Sequence, residues 1–169
     1  MSCALTQGYN LDCRDSTGGI KEIGIIEFDN VESVTIAAGV ITGIAQLANF
    51  RKYQLIAHTG DFEQTVTPSR ENGTLEVKQS LKFPINKMTT SVRNELLLLA
   101  QNRLMIVVLD TNGKAWLLGQ DFGMMLGASS AKSGVKLGDR NGFELMFESD
   151  EKTLANEVSS GIYASLFDY

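Results

Sequence analysis

A chain of 169 residues with 43% hydrophobic and 21% charged side chains has the make-up of one globular domain with a sizeable core. One histidine, His58, and two cysteines, Cys3 and Cys13, leave too few ligands for a structural zinc site and little scope for a nucleophile–imidazole pair. A net charge of −5 and a pI near 4.9 argue against a DNA-reading module, which carries a basic patch.

The charge is uneven. Residues 1–50 hold two basic and six acidic side chains, residues 51–100 seven and five, and residues 101–169 six and nine. A mildly basic middle between acidic ends suits self-complementary assembly, and equally an ordinary solvated surface. The first residues lack a basic region followed by a long apolar stretch. The longest apolar runs, Leu96–Ala100 and Leu104–Leu109, fall far short of the ~18 residues of a membrane span. The expectation is a protein made in the cytosol, with no membrane partner. There Cys3 and Cys13 stay thiols; outside a reducing compartment their spacing allows a disulfide.

In chain order, residues 1–19 read as an N-terminal arm. Ile20–Phe28, Ser33–Ala37 and Gly39–Ile44 are rich in Ile and Val and read as three short strands. Arg51–Thr67 gives a long strand pattern through Tyr53, Leu55, Ala57, Phe62 and Val66. Thr74–Ile85 alternates strictly: Leu75, Val77, Leu81, Phe83 and Ile85 share one face, which only Gln79 breaks. Asn72-Gly73 joins the two as a hairpin, and Pro84 sits near the strand end, where a missing donor does little harm.

Val92, Leu96 and Leu99 recur at helical spacing and predict one helix over about 90–102, capped by Thr89 or Thr90 and ended near Asn102. Leu104–Leu109 and Ala115–Leu118 flank Asn112-Gly113 as a second hairpin, with Trp116 expected in the core. Gly119–Gly142 holds six glycines with Ser129, Ser130 and Ser133 around Met124, Met125 and Leu126. It reads either as an extended loop that buries its apolar centre on a partner, or as a glycine-broken strand pair with a flexible tip. Phe143–Glu148 alternates Phe143, Leu145 and Phe147 against Glu144, Met146 and Glu148 after Asn141-Gly142. The whole is a mainly β, antiparallel single domain over 1–169, without internal repeats or linkers.

Little of this carries chemistry. Ser129-Ser-Ala-Lys132 matches an S-x-x-K pattern, but its companion motifs are absent. Gly127–Ser133 lacks the glycine that a phosphate loop needs before its lysine. Asp110-Thr-Asn112 and Asp139-Arg-Asn141 alternate like calcium loops but lack the later glutamate, and hairpin turns explain them better. Glu144, Glu148 and His58 are the residues a small hydrolase would have to use. A carbohydrate-binding module would need an exposed aromatic platform, and Trp116 is the single tryptophan. No cofactor or metal is expected.

The opening Ser2-Cys-Ala-Leu-Thr-Gln-Gly-Tyr-Asn-Leu-Asp-Cys-Arg-Asp-Ser-Thr-Gly-Gly-Ile-Lys-Glu-Ile resembles that of small virion structural proteins in tailed phages of the Bacteroidetes, crAss-like phages among them. The blocks around Trp116-Leu-Leu-Gly and Asp139-Arg-Asn-Gly-Phe-Glu-Leu-Met-Phe-Glu are similar too, and together the matches cover about a quarter of the chain. The layout also resembles a tail-tube subunit. That resemblance implies a β-sandwich or small barrel with one flanking helix and long loop or hairpin extensions. It further implies a virion location and self-assembly into rings, as hexamers, with other virion proteins as neighbours. Genomic DNA would pass through without sequence-specific binding. A head–tail collar, a tail-hub protein and a capsid-decorating protein are equally compatible. On this reading the expected assembly interface comprises Gly123, Met124, Met125, Gly127, Ser129, Lys132 and Gly134, with Cys3 and Cys13 in an ordered N-terminal clamp.

Overall fold

The structure is a computed structural model that describes residues 4–167. Its strands are β1 (Ile20–Glu27), β2 (Val31–Ala37), β3 (Val40–Gln46), β4 (Arg51–Gln54), β5 (Asp61–Ser69), β6 (Thr74–Asn86), β7 (Leu104–Asp110), β8 (Ala115–Leu118), β9 (Met125–Lys132), β10 (Gly142–Glu151) and β11 (Asn156–Val158). Helix α1 spans Thr90–Gln101 and α2 spans Ser160–Ser165. Seven strands pair in the order β2-β3-β11-β8-β7-β1-β4, and four in the order β5-β6-β10-β9. Neither sheet closes on itself, so of the two expected architectures the sandwich forms and the barrel does not.

The alternation read along Thr74–Ile85 is the inner face of the four-stranded sheet. Val77, Leu81 and Phe83 are buried, and β10 sets Phe143, Leu145 and Phe147 beside them. The rings of Phe83 and Phe147 stack 5.8 Å apart at the centre. Facing them are Ile23 and Ile25 of β1 and Leu104, Ile106 and Val108 of β7. Each fully buried side chain of this size contributes roughly 1.5–3 kcal/mol relative to exposure.

The centre of the seven-stranded sheet is buried on both faces, which accounts for the unbroken apolar run Leu104–Val108 of β7, while its edge strands β2 and β4 are largely exposed. Its second face carries Ile26, Ile41, Met105, Val107, Leu117 and Val158 under Phe50 and Leu166. Gly24 of β1 gives the Phe167 ring its place there: a Cβ at Gly24 would lie 2.8 Å from that ring. Helix α1 matches its predicted span. The Thr89 hydroxyl accepts the Val92 N–H at 3.3 Å, and the Asn102 amide donates to the Leu98 carbonyl at 2.9 Å.

The structure corrects several expectations. Arg51–Thr67 is not one strand. The chain leaves the seven-stranded sheet after Gln54, turns through exposed His58 at φ 64°, and enters the other sheet at Asp61. Gly60 permits that crossing, because a Cβ there would stand 2.6 Å from Leu55 Cδ1. Segment 119–142 is not one extended loop: β9 occupies its middle, paired antiparallel with β10. Trp116 is half-buried and belongs to neither core cluster; its neighbours on β8, Ala115, Leu117 and Leu118, fill the cores. Two elements were not expected at all, the short β11, which pairs parallel to β3, and α2.

Candidate functional site

The expected interface centres on β9, and buried polar groups fix how the chain enters that strand. Gln79, the one polar residue on the inner face of β6, is 2% exposed. Its side-chain carbonyl accepts the Gly119 N–H at 3.0 Å. Glu151, also buried, accepts the N–H groups of Asp121 at 2.7 Å and Phe122 at 3.2 Å, and the Ser149 hydroxyl. Gln64 accepts the Ala155 N–H at 2.7 Å. Three side chains thereby satisfy backbone donors of two irregular segments, as buried polar groups must be satisfied. The Leu104 and Met124 backbones then exchange hydrogen bonds at 2.8 and 2.7 Å, tying the start of β9 to β7.

This entry sorts the candidate residues into two groups. Gly123 and Met124 are buried in the chain's own interior, Met124 completely. They shape the interface from beneath and present nothing to a partner. Met125, Gly127, Ser129 and Lys132 are exposed, and Gly134 is half-buried in the turn that follows. Met125 keeps 57% of its surface. Lys132 lies on the outer face, 3.0 Å from Glu144, which also meets Arg140 at 3.4 Å. Cys13 is a free, exposed thiol, and Cys3 lies outside the described residues.

The β9–β10 turn is organised by Asp139, whose carboxylate accepts the N–H groups of Val135 at 3.0 Å and Lys136 at 2.9 Å. Those bonds, Lys136 first, hold Asp139 below its ordinary value of 3.8. The turn projects Val135 and Leu137 into solvent at 98% and 109% exposure. The N-terminal arm does the same. Residues 4–18 are exposed and form no regular element, with Leu5, Tyr9 and Leu11 exposed at 97%, 86% and 93%. The arm leaves the body at Thr17, whose N–H meets Asn112 Oδ1 at 2.9 Å and whose carbonyl accepts from Asn112 Nδ2 at 2.8 Å. These five apolar residues were not among the candidates. The every-second-residue spacing of Tyr9, Leu11 and Cys13 was the available signal.

Residues weighed for catalysis sit in ordinary structural settings. The hydrogen bond and charge of Lys132 lower the Glu144 carboxyl below 4.5, whereas a general acid needs a raised value. Glu148 pairs with Lys78 at 3.3 Å. Ser129 through Lys132 lie in a strand, not at a helix start. Asp110 accepts the Lys114 N–H at 2.9 Å across its hairpin. Among the described residues no group of three or more His, Cys, Asp or Glu side chains could hold a metal ion. A depression of about 390 Å³ lies on the outer face of the four-stranded sheet, among Asp61, Lys82, Arg140 and Glu144. Among the described residues no helix is long and apolar enough to cross a membrane.

Comparison of the chain with family models, with curated proteins and with solved structures gives no match.

Proposed function

We propose that this chain is a structural subunit of a tailed-phage virion, without enzymatic activity, that assembles into rings of the tail tube or tail passage. The observation that carries the reading is the placement of Leu5, Tyr9, Leu11, Val135 and Leu137. Two separate segments present large apolar side chains that the chain's own body does not cover, and uncovered apolar surface marks an interaction site. Among the described residues both sheets also end in strands with one unpaired edge, β2 and β4 in one and β5 and β9 in the other. Closed rings provide partners for such edges.

Charge supports a passage for DNA. The outer face of the four-stranded sheet carries Asp61, Glu63, Glu76, Glu144, Glu148 and Asp150 against Lys78, Lys82, Lys132 and the neighbouring Arg140. A net negative wall repels phosphate and would let nucleic acid slide by without being held. The resemblance of the opening residues to virion proteins gives the assembly its context. Gold-labelled antibody on intact virions tests the assignment. Label along the tail supports a tube subunit, label at the neck or over the head supports a collar or decorating protein, and unlabelled virions overturn a virion role.

A further inference from the structure

The arm has a strand's pattern and no strand to pair with. Leu5, Tyr9, Leu11 and Cys13 fall on one face of an extended chain, with Gln7 between the first two; Thr6, Gly8, Asn10, Asp12 and Arg14 fall on the other. That is the signature of a half-buried strand, yet both faces stand in solvent here. The same molecule carries an open edge of matching length. β9 has eight residues, pairs with β10 on one side through a single register shift and, among the described residues, has no strand on the other, where α1 touches part of it.

The other edges suit the arm less well. β4 has four residues. β5 has Pro68, which lacks a donor, and exposes Asp61 and Glu63 to an arm that itself carries Asp12 and Asp15. β2 carries Glu32 and pairs with β3 through two register shifts. β9 carries Lys132 on its outer face, where the polar face of an added strand would bring Asp12. Its inner-face residues Ser129 and Ala131 are exposed, so no described residue covers them.

We propose that residues 5–13 of one copy add as a strand parallel to β9 along its edge in a second copy, which brings Asp12 and Cys13 to the Ala131–Lys132 end, with Leu5, Tyr9 and Leu11 turned inward. The contact rests on the assembly reading above and gives it a geometry. Donor and acceptor are different surfaces, so the contact is head-to-tail, the type that propagates around a ring.

Native Cys13, on the arm's apolar face, supplies the test. In full-length protein with Cys3→Ser, Ser129→Cys or Ala131→Cys places a second thiol on the inner face of β9, and Ser130→Cys places one on the outer face. Under mild oxidation the first two cross-link between copies into dimers and longer ladders, at least about tenfold faster than the third, because a disulfide needs Cβ atoms on the same side. A companion protein with Leu5→Ser, Tyr9→Ser and Leu11→Ser keeps its circular dichroism but assembles only at concentrations higher by at least about tenfold. Equal cross-linking at all three positions, cross-links confined within single chains, or an unchanged assembly midpoint overturns strand exchange. If the wild-type chain still forms rings in those cases, the ring reading stands without it. A wild-type chain that stays monomeric overturns both.

Discussion

The side-chain carbonyl of Gln79 accepts the backbone N–H of Gly119 at 3.0 Å, in the middle of a face that is otherwise apolar. What looks like a flaw in the alternation of β6 is the anchor for the turn that leads into β9. Replacing Gln79 by Leu keeps the volume and strands the Gly119 donor in a dry setting. The expected cost is about 1–3 kcal/mol, read as a lower denaturant midpoint with an unchanged slope.

Gly119 itself has φ 72°, and a Cβ there would lie 2.7 Å from the Met124 nitrogen. Gly119→Ala therefore combines backbone strain with a steric clash and should cost more than about 2 kcal/mol. Gly113 has φ 81° in open space. Gly113→Ala should cost only about 1 kcal/mol, and thermal unfolding of the two variants side by side checks the contrast.

Glu151 holds the same turn from the other side through Asp121 and Phe122. Glu151→Ala removes charge-assisted bonds worth roughly 1.5–3 kcal/mol each. Amide exchange at Asp121 and Phe122 should accelerate well beyond exchange in β7, because the loss is local before it is global. Uniform acceleration through the whole chain would show that the turn is not a separate unit.

Stability should fall at both pH extremes for different reasons. Burial first, then the charge and hydrogen bond of Glu95, push Tyr53 from 10.0 up to about 12. Burial and the Glu22 hydrogen bond likewise raise Tyr163. Both shifts favour the neutral phenol in the folded chain, so the stabilisation is complete below pH 10 and is lost as pH climbs toward 12. Asp139 and Glu144 shift the opposite way, so their contribution is present above their ordinary values of 3.8 and 4.5 and disappears as pH falls through the lowered ones. Phenolate absorbance on the alkaline side and amide shifts of Val135 and Lys136 on the acid side follow the two transitions. Salt should weaken the Glu144 part, which is exposed.

Local signals in the sequence foretold local structure. Helix α1 announced itself through Val92, Leu96 and Leu99 and its Thr89 cap, and Asn72-Gly73 and Asn112-Gly113 marked their hairpins, because those patterns are encoded within a few residues; Asn141-Gly142 did not, since Gly142 is already the first residue of β10. Sheet membership was not legible. Tyr53 and Phe62 share one apolar rhythm, yet their strands belong to different sheets, since the break at His58 and Gly60 depends on how Leu55 and Ile20 pack. Glu151 ends a run, Glu148-Ser-Asp-Glu, that reads as solvated surface; only the distant turn it bonds explains its burial. Met124 and Met125 looked equivalent in sequence, and the backbone pairing with Leu104 sends the first inward and leaves the second exposed. The arm was recognised as an arm, but its alternation carries no meaning until Leu5, Tyr9 and Leu11 are seen uncovered.

On the proposed reading, the arm of this chain is covered only against another copy. Sedimentation velocity of the purified full-length chain over a wide concentration range, with electron microscopy of the fastest species, tests it most directly. The expected result is a discrete closed oligomer that appears as rings and dissociates when residues 1–15 are removed. A single monomeric species at every concentration, with no rings on the grid, would contradict it.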